Sequence, residues 1–504
     1  MTQPQTRTLL SHLLESPEGN GASWPRFRVL WRHMAEDAAK ELQDQRLANV
    51  RTSERTYWRW MAGTHVAKGD AAAILEWYFG KSAEALAQPP VPVREIVRPR
   101  ALDRRTRTAS RALDYTWSTS RHVPGEPSVG VHGTWELAGG RHFDGTAIGV
   151  QLYEAEPRGD MAEISEADLP HLRSLVRSSR RGVVLASLGA AGGKGLYVMD
   201  AALVRQSLHV GQDPRVPLAY QLDDLTYAIV WALHVMDDGL LADDHPLSDR
   251  AGELRHYVMI SNSAPPRSDM LDLSPIGAAW LGSSLCAQYI VRHLDELSDV
   301  PAFWTREATG EECAPWLFFR HKHDYLQAVA DRFAGPASTL GRAFCVPESA
   351  VRNTEPYERI LLFLTVAMME MHGIKVWMSN APEYTQTEGF VLAQNRAILA
   401  NWVREESVWR VATTSARRDV APYQEAIEHA RSHSVVDGQT PADRLQALAA
   451  YLDLDWKWLI GRCSTLGEEG ISSMLRPRSR LLTLKALDQT LRFLGAVGRQ
   501  DAGR

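Results

Sequence analysis

Paired cysteines are missing from this chain. Its four, Cys286, Cys313, Cys345 and Cys463, stand far apart with no C-x-x-C pair, which excludes a zinc or iron–sulfur centre built from cysteine alone. Long apolar runs are missing too. The most apolar stretch, residues 360–369, is well short of the roughly 20 residues a bilayer requires, and Glu370 and His372 follow it. The opening Met-Thr-Gln-Pro-Gln-Thr-Arg leads into no apolar signal core. These absences lead us to expect a reduced, cytoplasmic protein with no membrane partner. An excess of positive charge is also lacking. The formal net charge is -5, which excludes a coat-like protein basic throughout but fits a small basic head on a large acidic body.

What is present is ordinary for a soluble globular chain: 44% hydrophobic and 23% charged residues over 504 positions, enough for about two to four domains. Near the start, Trp24-Pro25 leads into an amphipathic stretch in which Phe27, Leu30, Trp31 and Met34 recur at helical spacing, continuing through Ala38 and Leu42. The run Arg51-Thr-Ser-Glu-Arg-Thr-Tyr-Trp-Arg-Trp-Met-Ala-Gly63 follows. Thr52 or Ser53 is placed to cap a helix, and Gly63 to end it in the left-handed region. At 100° per residue Ser53, Tyr57, Trp60 and Met61 share one face. Thr52, Arg55 and Arg59 fall opposite, with Arg51 beside them. One face suits a core. The other presents guanidinium forks suited to guanine edges or phosphates. On periodicity alone, a plain surface helix fits equally well. Asp70 to Phe79 and a short helix opened by Ser82 complete a compact all-helical module ending at Pro89-Pro90.

The run RTSERTYWRWMAG, then KGDAAAILEWYFGKSAEALAQPP, resembles the N-terminal domain of Xre-like (Cro/repressor-type) helix-turn-helix regulators of actinomycetes, over residues 24–90. The segments DLSPIGAAWLGSSLCAQYIVRHL, VPAFWTREATGEE and MLRPRSRLLTLKALDQTLRFLG are similar to parts of long regulators of that kind. The chain departs from the pattern before the recognition helix, where the common Thr-Gln-x-x-Leu-Ala start is absent. The resemblance implies a transcriptional regulator that binds double-stranded DNA sequence-specifically, reading the major groove with the 52–62 helix. One such head reads too few base pairs for high specificity, so a homodimer is expected. The residues the resemblance points to are Arg51, Thr52, Ser53, Arg55, Thr56 and Arg59, with Arg55 and Arg59 foremost.

The expected fold is multi-domain and mainly α. A helix-turn-helix head spans 20–90, a basic linker 91–114, a small α+β domain 115–215 and a large all-helical sensing or dimerisation body 216–504. The linker's arginines, Arg94 to Arg111, read as a solvated segment or as an arm on phosphates. Strands are expected near residues 129–135, 147–153, 182–188 and 196–199, with a helix at 169–179. Helices are expected in the body near 223–236, 275–297, 312–333, 355–378, 386–412, 419–433, 441–461 and 478–496.

Other motifs carry less. Gly189-Ala-Ala-Gly-Gly-Lys-Gly195 has neither the spacing nor the Ser/Thr of a phosphate loop and reads as a turn between strands. The pairs Asp223-Asp224, Asp237-Asp238 and Asp243-Asp244 match no metal-binding spacing and read as caps and surface charge. His321 and His323 point to opposite helix sides, so they do not share a metal, and Ser283-Ser284 lacks the glycine of a nucleophile elbow. No catalytic constellation, metal site or cofactor is assigned. The tryptophans of the body suit core packing or a pocket for an apolar effector. A small-molecule effector or a partner protein is therefore a candidate ligand, and a helical interaction scaffold or an enzyme is the alternative reading.

Overall fold

The computed structural model describes residues 8–15, 23–41, 44–79 and 82–89, then most of 113–502, with the larger gaps at 125–132, 173–181, 189–194, 210–213, 266–272, 334–339 and 405–408. The chain forms two compact units. The first comprises 1–138, 145–222 and 473–476, and the second 139–144, 223–472 and 477–504.

The first unit begins with five helices: α1 (Leu9–Glu15), α2 (Trp24–Glu41), α3 (Glu54–Met61), α4 (Asp70–Phe79) and α5 (Ala83–Ala87). Pro25 sits in the first turn of α2, where its missing N–H costs nothing. The Ser53 hydroxyl caps α3 by accepting the Thr56 N–H at 3.2 Å. The helix stops at Gly63, whose φ is +66°. Phe27, Trp31, Met34, Tyr57, Trp60, Ile74 and Leu75 form the shared core. Phe27 and Tyr57 have ring centroids 4.4 Å apart, and Trp31 and Trp60 5.3 Å. The linker arginines 94–111 lie outside the described residues.

A seven-stranded sheet follows, made of β1 (Ser120–Pro124), β2 (Gly133–Leu137), β3 (Thr146–Arg158), β4 (Met161–Ile164), β5 (Gly182–Leu188), β6 (Gly195–Asp200) and β7 (Arg215–Pro217), with α6 (Ala201–His209) before the last strand. β3 is its long spine. It pairs antiparallel with β2 and β4 and parallel with β5. β5 and β6 pair antiparallel, so the glycine-rich 189–194 segment joins two strands, whereas a phosphate loop opens a helix. The helix expected at 169–179 falls mostly outside the described residues.

The second unit overturns the expectation of a mainly-α protein with an all-helical body. It holds a second seven-stranded sheet among its helices. In chain order its elements are α7 (Asp224–Ala242), α8 (Asp244–Val258), β8 (Asn262–Ser263), α9 (Pro275–His293), β9 (Ala302–Thr305), α10 (Gly310–Phe318), α11 (Arg320–Phe333), β10 (Gly341–Cys345), α12 (Glu348–Arg352), α13 (Pro356–Met371), β11 (Lys375–Ser379), β12 (Phe390–Ala393), β13 (Arg396–Asn401), β14 (Arg410–Thr414), α14 (Arg417–Ser432), α15 (Pro441–Tyr451), α16 (Trp456–Glu469) and α17 (Lys485–Ala502). The sheet order is β11-β10-β9-β12-β13-β14-β8. β9, β10 and β11 are parallel, each joined to the next through helices, while β12, β13 and β14 run as an antiparallel meander.

The expected 386–412 helix is therefore three strands, and the end of the expected 355–378 helix is β11. The physical reason is burial on both faces. β9, β10 and β12 are buried at every residue, so they lack the alternation that marks a half-exposed strand. A short continuous apolar run reads equally as buried helix.

The aspartate pairs serve structure. Asp223 caps α7, accepting the Thr226 N–H at 3.0 Å. Asp237 accepts the backbone N–H groups of Arg478 and Ser479, and Asp243 accepts both the backbone N–H and the hydroxyl of Ser274. α7 is long and apolar enough to cross a membrane, and most of it is buried inside the second unit.

Candidate nucleic-acid interface and a charged pocket

The recognition-helix candidate is built by division of labour along α3. Tyr57, Trp60 and Met61 are buried in the aromatic core. Arg51, Arg55 and Arg59 are exposed. Among the described residues no ion pair or hydrogen bond engages the Arg55 or Arg59 guanidinium; Arg51 reaches only the Ala48 carbonyl, at 3.4 Å. The other three sequence-selected residues are less available. Ser53 and Thr56 join hydroxyls at 2.9 Å within the cap. Thr52 is half-buried, as is Thr56.

Sequence reasoning overlooked Trp58. It is 48% exposed, a high value for tryptophan, on the turn between Arg55 and Arg59. Its indole N–H donates to Glu54 at 3.3 Å. The signal was its place on the flank of the helix, between the Tyr57–Met61 core face and the Arg55–Arg59 face. An apolar ring there suits contact with a thymine methyl.

The second unit contains a cavity of about 60 Å³ at the carboxyl end of β9, where the parallel half of the sheet meets the antiparallel half. Thr305, Arg306 and Glu307 line it, with Trp316, Lys322, Tyr325 and Arg342. Buried Glu307 accepts from Lys322 Nζ at 3.1 Å and from the Trp316 indole at 2.9 Å. The Lys322 ammonium lies 3.7 Å from the Trp316 ring centroid and 4.6 Å from that of Trp402. Burial pushes its pKa down, against the pull of Glu307. Arg342 donates to Thr305 Oγ1 at 2.8 Å. None of these residues was singled out in the sequence for a polar role, because positions scattered from 305 to 401 carry no spacing signal.

The fold does bring together one pair that sequence reasoning set aside separately. Ser283 Oγ and His321 Nε2 are 2.8 Å apart beside this cavity. A nucleophile's base requires an orienting partner and a basic ring. His321 Nδ1 is buried with no partner, and burial, with Lys322 nearby, lowers its pKa to about 3. The pair therefore lacks the means to activate the serine. No group of three or more His, Cys, Asp or Glu side chains able to hold a metal occurs among the described residues.

A separate buried carboxylate contributes to the pH behaviour of the second unit. Glu312 accepts two hydrogen bonds from Arg404, at 2.7 and 2.8 Å, and lies 3.2 Å from His142. Burial pushes its carboxyl up, but hydrogen bonds from His142 and Arg404 outweigh burial and bring it to about 2. The hydrogen bond to Glu312 raises His142 above 6.5. The signs are opposite. Stability from Glu312 is complete above its unfolded value of 4.5 and drains away as pH falls toward about 2. Stability from His142 is complete below 6.5 and is lost as pH rises through its higher folded value. Taken alone, this pair would hold melting temperature level between pH 4.5 and 6.5 and lower it on either side. His321, held to about 3 by burial, adds a loss as pH falls below 6.5, and Glu358, pushed up to about 7 by burial, adds a loss as pH rises above 4.5, so the full profile is sloped there. Glu312→Gln should make both outer limbs shallower than in the native protein. An unchanged profile in that variant would remove this triad from the account.

No family model matches the chain, and no curated protein or solved structure matches it.

Proposed function

We propose that this protein is a sequence-specific, DNA-binding transcriptional regulator whose α3 enters the major groove and whose second unit binds an effector or a second copy. One observation carries the reading. Arg55 and Arg59 face solvent along a helix whose opposite side is locked into an aromatic core, with no partner to either guanidinium among the described residues, and exposed Arg51 lies just ahead of the helix. A rigid mount with unengaged guanidiniums is what base-edge recognition requires, since Arg pairs in a fork with guanine. The overall charge of -5 does not oppose it, because phosphate neutralisation depends on local charge. One helix reads few base pairs, so the reading includes a homodimer on two half-sites, and a cytoplasmic location goes with it.

Selection from a random duplex pool by the full-length protein tests this. The expected product is a motif of two half-sites spaced by about one helical turn or a multiple of it. Affinity should fall steeply with salt. A folded protein that enriches no sequence over successive rounds would sink the reading.

A further inference from the structure

We propose that the second unit binds a short-chain carboxylate in the cavity at the carboxyl end of β9, with the Arg342 guanidinium as its counter-ion. The inference goes beyond DNA reading and does not depend on it.

The argument begins with charge. Three cations line the cavity, Arg306, Lys322 and Arg342; Arg306 donates to the Val403 carbonyl at 3.0 Å, and Lys322 and Arg342 are 3% and 4% exposed. The one carboxylate among the lining residues, Glu307, is committed to Lys322. An arginine stays charged in any protein environment, and a buried charge without a counter-ion is costly. Yet among the described residues Arg342 makes no ion pair. It has the Thr305 hydroxyl at 2.8 Å, the Tyr325 hydroxyl at 3.4 Å, and the rings of Phe303 and Trp316. Its Nε is buried with no partner. Asn401 repeats the pattern. It is 2% exposed and lines the same cavity; its oxygen accepts from Gly389 N, and its Nδ2 is buried without an acceptor. The orphaned donors of Arg342 and Asn401, together with an Arg342 charge that has no ion pair among the described residues, call for an acceptor that carries negative charge.

Size and wall chemistry choose among anions. A volume of about 60 Å³ suits a handful of heavy atoms, such as a carboxylate carrying one or two further carbons. Walls of Phe303, Trp304 and Trp316 favour an anion with an apolar tail over a fully hydrated one. The planar guanidinium fork matches a carboxylate.

The test uses the full chain without DNA, titrated at fixed ionic strength with sodium propionate, its neutral analogue propionamide, and inorganic phosphate. Calorimetry and tryptophan fluorescence report binding. Propionate is expected to bind at least about tenfold more tightly than propionamide, the scale of one charge-assisted hydrogen bond. Arg342→Met should lose that preference. Asn401→Asp keeps the contact to Gly389 and places a carboxylate in the cavity, so it should weaken propionate at least about tenfold. This second variant decides the matter if Arg342→Met fails to fold. Equal binding of propionate and propionamide, tighter binding of phosphate than of propionate, or undiminished propionate binding by Asn401→Asp would each overturn the proposal. None of these outcomes bears on whether α3 reads DNA.

Discussion

Glu370→Gln is expected to destabilise the second unit by roughly 3–5 kcal/mol, the usual consequence of removing one partner from a buried ion pair. Glu370 stands in the last turn of α13 and receives Arg444 of α15 through two hydrogen bonds, at 2.8 and 2.5 Å. Both side chains are buried. Its oxygen also accepts the Val376 N–H at 3.0 Å, which anchors the start of β11 to the end of α13. The glutamine can keep the oxygen that accepts from Val376, but its NH2 replaces the second oxygen and faces the Arg444 donor, so the loss combines the missing charge with one lost hydrogen bond. Adding Arg444→Met should restore much of the stability, because a buried pair replaced by uncharged side chains is far less harmful than a buried pair broken. Chemical denaturation of the four members of this cycle checks it. Additive losses would show that the pair is not energetically coupled.

Gly63→Ala is expected to cost roughly 2–5 kcal/mol in the helical region carrying α3, from two sources. At φ +66° a side chain meets the left-handed backbone penalty of about 1–2 kcal/mol. The added Cβ would also lie 2.8 Å from the Ala87 carbonyl oxygen and 2.8 Å from Thr8 Cγ2, a clash in the usual overpacking range of about 1–3 kcal/mol. Hydrogen exchange at the α3 amides of the full chain is the appropriate measurement, since global melting of two units need not be two-state. Faster exchange confined to the N-terminal helices is the expected pattern. Unchanged protection there would mean the chain bends around the new methyl at little cost.

How much of this was legible in the sequence depended on exposure. The α3 region was legible because it is amphipathic, with Ser53 at one end and Gly63 at the other, and surface helices display their period. Strands β3, β5 and β6 were legible as β-rich runs broken by glycines. The strands of the second unit were hidden by their burial. Phe390–Asn401 is a hairpin whose two-residue link, Gln394-Asn395, follows from the Ala393–Arg396 pairing. That polar pair between two apolar β-rich runs was the one available signal, and helical periodicity drowned it. The cavity was not legible at all. Its cations come from β10 and α11 and its carboxylate from the end of β9, and only tertiary packing unites them. A faint trace remains in Gly341-Arg-Ala-Phe-Cys345, where an arginine interrupts a short apolar run.

The central claim is that α3 reads DNA through Arg55 and Arg59. Genome-wide occupancy of the native protein, set against a folded Arg55→Ala/Arg59→Ala variant, tests it most directly. Both guanidiniums are exposed and unengaged, so the variant should fold as the native protein does. The account predicts discrete peaks sharing one motif in the native protein and their loss in the variant. Identical peaks in both, or none in either with the protein folded, would contradict it.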